Sequence, residues 1–187
     1  MNGSDWVALA QEALRDPRRS AQRIAGWPVP DQAVWLAYVL VAALSVLGLF
    51  GAMLLSGLGA ADLPQPVMVL GMQLGSMLLL AAVLAQAGRM FGGAGNFAGA
   101  LRIIIWIQAL MVMLQAVQLV AMVVLPPLAG LLSLVSVLLI AWVATGMVAG
   151  LHGFKSLPLT FLGIIIAMLV VGFVLSLVLA PFISIPQ

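Results

Sequence analysis

Apolar residues run through this chain in blocks long enough to cross a bilayer, and the polar residues between them are confined to a few short stretches. Uncharged blocks cover residues 34–58, 67–87, 103–150 and 158–180. As one helix, the third block of about 48 residues would extend roughly 70 Å, over twice the ~30 Å hydrocarbon thickness. It must fold back, and Pro126-Pro127 marks the place, because the second proline forces the first out of helical geometry. Spans at about 103–125 and 128–150 follow. The intervening segments are turn-like: Gly59 to Pro66 around Asp62, residues 88–102, and residues 151–157 before Pro158. The pattern predicts an all-α integral membrane protein with five transmembrane helices, preceded by short amphipathic surface helices. It divides into an N-terminal segment (1–33), a five-helix domain (34–181) and an external tail (182–187).

Residues 1–33 alone are conventionally amphipathic. Ser4 is placed to cap a helix with Asp5 in its first turn, and Trp6, Ala10, Ala13 and Leu14 recur at helical spacing opposite Gln11, Glu12 and Arg15. Asp16-Pro17 reads as a second N-cap with proline at the first helical position. Arg18, Arg19 and Arg23 follow, up to Gly26-Trp27-Pro28. Two helices lying along the membrane fit this, with tryptophans at headgroup depth and arginines toward phosphates. The plainer alternative is a loose tail with a topogenic charge cluster. An acidic, polar start without an early apolar core predicts no cleaved signal peptide.

Composition agrees with lipid as the solvent. The chain is 65% apolar and 6% charged, against about 25% charged for a soluble domain. With no cysteine, disulfides and thiolate metal sites are excluded. Seven bases give a pI near 10; so few, spread through a membrane protein, point to orientation and anionic lipid, with no nucleic acid partner. Five spans place Arg15, Arg18, Arg19, Arg23, Arg89, Arg102 and Lys155 on one side and none on the other. By the positive-inside rule the N-terminus is cytoplasmic and the C-terminus periplasmic or external.

No Asp, Glu, Lys, Arg or His falls inside a span. A charge at the bilayer centre costs about 2.5–3.5 kcal/mol or more and is accepted mainly for function. Its avoidance argues against ion-coupled transport, voltage sensing and aspartyl proteolysis within the membrane. The single histidine, His152, lies in a loop, no G-x-S-x-G occurs, and the acids are not at metal-ligand spacing. No enzyme, catalytic residue, metal or cofactor is expected.

Amides and hydroxyls are what remain inside. Gln108, Gln115 and Gln118 share a face of the third span, and Gln73 lies in the second. They serve as interhelical hydrogen bonds, worth about 0.6–2 kcal/mol each, or line a polar track for water or lipid headgroups, as in a passive channel or lipid-translocating protein. Gly71–Gly75 and Gly146–Gly150 are G-x-x-x-G pairs that permit close helix approach, within the bundle or between copies. In residues 88–102, GRMFGGAGNFAGALR, the glycines Gly92, Gly93 and Gly95 permit a tight positive-φ turn and Asn96 can cap a helix from Phe97. Arg18, Arg19, Arg23, Arg89, Asn96, Arg102, His152 and Lys155 form a candidate cytoplasmic surface for anionic headgroups or a protein partner. The alternative is topogenic loops only.

Gly88-Arg89, Gly92-Gly93, Gly95-Asn96-Phe97 and Leu101-Arg102-Ile103, following the second of five spans, resemble the Yip family of multi-pass membrane proteins. Pro126, Trp142 and His152-Gly153-Phe154-Lys155 are similar too. The resemblance implies five membrane helices, a cytoplasmic N-terminus and a role in membrane organisation. Eukaryotic members bind Rab-type GTPases and each other. Here the D-L-Y-G-P type motif of their cytosolic region is absent, so that binding does not carry over. The short N-terminus and arginine- and glycine-rich composition resemble a bacterial member, in the inner membrane, with lipids, a second copy or another membrane protein as partner.

Overall fold

The computed structural model describes the backbone of residues 3–183 and the side chains of residues 8–178, Ala60 excepted. Two short helices, α1 (Gly3–Arg15) and α2 (Pro17–Ala25), precede five long ones: α3 (Asp31–Leu55), α4 (Pro66–Met90), α5 (Phe97–Val124), α6 (Pro126–His152) and α7 (Leu157–Ile183). Each long helix contains a window long and apolar enough to cross a membrane, and no strand occurs among the described residues.

Local chemistry sets the boundaries. The Asp16 carboxylate accepts the Arg19 N–H at 3.1 Å and Pro17 opens α2; the Asn96 side chain accepts the Gly99 N–H at 2.8 Å and opens α5. Both caps satisfy a donor that a helix start leaves free. The capping role of Ser4 and the side chains of Asp5 and Trp6 lie outside the described residues, as does the tail from 184 on. At the α5–α6 reversal the break is one residue earlier than expected. Leu125, at φ −144° and ψ 71°, is the non-helical residue, and Pro126 is already the first of α6. The steric restriction falls on the residue before Pro126, and Pro126 itself fits a helix start, where no N–H is needed.

Helix α5 is the central element, packed on α3, α4 and α6, with Ile103, Ile104, Leu101 and Leu110 buried. Lipid is as apolar as leucine, so helices associate through close packing rather than water exclusion. Fully buried small residues supply it: Ala42 of α3, Ala81 of α4, Ala100 of α5 and Ala149 of α6. The Tyr38 hydroxyl of α3 donates to the Leu74 carbonyl of α4. Helix α7 packs mainly on α4 and α6 and keeps most of its described surface toward lipid.

The N-terminal helices do not simply lie along the membrane. Leu9, Ala13, Ala21 and Ile24 are buried in a second cluster with Ile103, Trp106 and Leu110 of α5 and Val143 and Met147 of α6. Their apolar face is narrow because it fits a groove between two helices rather than a lipid surface.

Candidate functional site

The ends of α4 and α6, the starts of α5 and α7, and the pair α1–α2 meet at one end of the bundle, and this end carries every basic residue. Its centre is His152, the last residue of α6 and only 3% exposed. A methyl group built at Gly88, Gly93 or Gly95 would overlap the imidazole. Phe154 stacks on the ring, with centroids 5.2 Å apart at 18°.

The loop that makes this niche is closed by its backbone. Gly92, at φ 80°, ends α4: its N–H donates to the Arg89 carbonyl at 3.0 Å, and the Gly93 N–H to the Gly88 carbonyl at 2.8 Å. That pairing requires a left-handed residue at Gly92. The chain then binds across to α6. The Ala94 N–H donates to the His152 carbonyl and the Gly95 N–H to His152 Nδ1, both at 3.3 Å. With Nδ1 accepting, a neutral ring carries its proton on Nε2. Nε2 is buried and makes no hydrogen bond of good geometry among the described residues, and the Leu84 backbone approaches the ring.

Of the three loop glycines, only Gly92 has positive φ. Gly93 and Gly95 serve a different need, which is room for the imidazole. His152 is thus not part of an exposed headgroup surface; it is the plug that fixes the 88–96 loop to α6. Asn96 uses its Oδ1 for the cap and is itself exposed.

Six of the seven bases divide into two groups, and the seventh, Arg15, is exposed at the end of α1. Arg18 Nη2 donates to the Lys155 carbonyl at 2.9 Å, and Arg102 Nη1 to the Ala25 carbonyl at 2.8 Å. These two arginines clamp the N-terminal helices onto the bundle. Arg19 and Arg23 pair with Glu12, Arg23 at 2.9 Å, while keeping side-chain exposures of 81% and 65%. Such exposed pairs are worth about 0–1 kcal/mol. Arg89 and Lys155 are exposed, and neither side chain makes a hydrogen bond or ion pair among the described residues. Arg19, Arg23, Arg89 and Lys155 therefore remain available to an anion.

The glycine pairs also divide. Gly146 receives the Pro17 ring and Gly150 the backbone of Arg18, so this motif seats α2 rather than another membrane span. Gly71 and Gly75 have nothing within 4 Å of a would-be Cβ and are exposed. Among the described residues they pack no helix, because α4 turns that face outward.

The glutamines do not form one track. Gln108 Nε2 donates to Ser45 Oγ of α3 at 2.7 Å, and Gln118 Nε2 to Ser136 Oγ of α6 at 2.9 Å. Gln115 lies over Gly48 of α3. Gln73, half-buried on α4, accepts the Ser76 hydroxyl only with its backbone carbonyl, and no hydrogen bond joins it to the others among the described residues. Each α5 amide is directed to a neighbouring helix, as interhelical bonding requires.

Sequence reasoning missed the His152 niche and the seating of α2. A signal was present in the repeated combination of glycine with aromatic or base in the 88–97 and 150–155 loops. Nothing in either stretch alone says that they meet.

Among models of known families, the Yip1 domain matches residues 12–179 of the 187. No curated protein and no solved structure matches the chain.

Proposed function

Since the chain belongs to the Yip1 domain family, as a match over most of its length shows, we propose that it is a non-enzymatic membrane-organising protein whose basic end faces the cytoplasm and gathers anionic lipid headgroups. The single observation that carries this reading is the division of the bases. Two hold the fold together, while Arg19, Arg23, Arg89 and Lys155 stand exposed on a plate fixed by the His152 niche. Basic groups at an anionic leaflet are worth about 1 kcal/mol each, and less as salt rises. A plate that holds several of them at fixed spacing concentrates anionic lipid in its annulus and offers that charged patch to other membrane proteins. The setting is a bacterial inner membrane, with the N-terminus inside.

The test is lipid selectivity in reconstituted vesicles of phosphatidylglycerol and phosphatidylcholine, read with spin-labelled forms of each. The wild-type protein should prefer the anionic label, and the preference should fall with salt. Replacing Arg19, Arg23, Arg89 and Lys155 together by glutamine should abolish it. An unchanged preference in that variant would overturn the reading.

A further inference from the structure

Helices α4 and α7 leave a groove of about 670 Å³ between them, walled by Val83 and Ala87 of α4 and by Gly163, Ile166 and Val170 of α7. At the basic end it is bordered by Lys155 and Ser156. We propose that this groove holds one phospholipid of the bilayer, an acyl chain lying along α7 and the phosphate at Lys155. This goes beyond the annular gathering proposed above, because it is a single defined site.

Depth, shape and charge agree on that occupant. The α7 lining runs from Leu159 to Val170, roughly 16 Å at about 1.5 Å per residue. That is close to half of the ~30 Å hydrocarbon layer, so the groove is as deep as one leaflet. The volume is within the roughly 300–1,000 Å³ of small-molecule sites. The wall is smooth where a chain would pass, since a Cβ on Gly163 meets nothing within 4 Å.

The mouth supplies what a phosphate needs. Lys155 is exposed, its side chain uncommitted among the described residues, and its carbonyl is held by Arg18 at 2.9 Å, which fixes the loop beneath it. Ser156 Oγ accepts the Leu159 N–H at 3.4 Å and keeps its own proton to donate. An ammonium and a hydroxyl together make charge-assisted hydrogen bonds to a phosphate oxygen. Phosphate and acyl chain are therefore met in the order in which a lipid presents them from the membrane interface inward.

Native mass spectrometry of the full chain tests this, after delipidation and re-exposure to phosphatidylglycerol. One lipid per chain should survive activation that strips the annulus. Gly163→Leu, which adds a side chain directly into the groove, should lower that occupancy at least tenfold. Lys155→Gln should lower it several-fold, with a similar loss for phosphatidylcholine, whose phosphate is the same. Gly71→Leu is the matched control, an exposed helical glycine outside the groove, and should leave occupancy unchanged. Occupancy unaffected by Gly163→Leu, or equally reduced by Gly71→Leu, overturns the proposal. Spin-label selectivity reads the annulus and this count reads one retained lipid, so either reading can fail without the other.

Discussion

Gly88 of α4 and His152 of α6 are in direct apposition, and a methyl group on Gly88 would fall within the imidazole ring. Helices α4 and α6 and the loop that leads from α4 to α5 are held by this fit, and it has a signature. Gly88→Ala alone should destabilise the protein by about 1–3 kcal/mol, the usual cost of overpacking. In a His152→Ala background the same change should become neutral or stabilising, because alanine favours a helix over glycine by roughly 0.5–1 kcal/mol. Thermal unfolding of the four proteins in detergent gives the coupling. Simple additivity would mean that the niche is not what the glycine serves.

Gln108 should behave as a structural amide. Ser45→Ala leaves the buried amide of Gln108 without its 2.7 Å partner and should cost about 1–3 kcal/mol. Gln108→Leu with Ser45→Ala, which removes both polar groups, should cost less than Ser45→Ala alone. Denaturant titration in mixed micelles measures the order of the variants. The reverse order would place water or lipid at the amide.

The seat of α2 has no slack at Gly150, where a Cβ meets the backbone of Arg18 and no rotamer change relieves it. Gly150→Ala should release α1 and α2 while the five long helices persist. Trypsin should then cleave after Arg18, Arg19 or Arg23 at least tenfold faster, a change equivalent to about 1.4 kcal/mol of docking energy. Helix content by circular dichroism should fall only slightly. Unchanged cleavage would show that this contact does not hold the N-terminal pair.

Gly71 and Gly75 supply the opposite expectation. Both face outward with open space around them, so Gly71→Leu with Gly75→Leu should leave the melting temperature unchanged or raised, and mass in detergent should stay the same. A fall in mass would reveal a second copy seated on that face.

The long helices were legible because lipid imposes a coarse rule, that each span must be apolar and of bilayer length. Caps at Asp16 and Asn96 were legible for the same kind of reason, since each is a local bond between a side chain and the backbone three residues on. The basic end was harder to read. Arg102 bonds Ala25 and Arg18 bonds Lys155 across 77 and 137 residues of chain, and no local pattern distinguishes an arginine that clamps from one that meets lipid. The glycine motifs misled in a similar way. Gly71–Gly75 and Gly146–Gly150 have the same spacing, yet one is exposed and the other receives α2. Spacing reports that a close approach is permitted, and only the topology says whether anything approaches.

The whole account depends on the basic end facing the cytoplasm, where anionic lipid would meet it. With no cysteine in the chain, single cysteines report this without background. Gln22→Cys lies exposed on α2 at the basic end, and Asp62→Cys lies exposed in the turn between α3 and α4 at the opposite end. In intact cells a membrane-impermeant maleimide should label Asp62→Cys and spare Gln22→Cys until the membrane is opened. Labelling of Gln22→Cys but not Asp62→Cys in intact cells would put the basic plate outside and contradict the account.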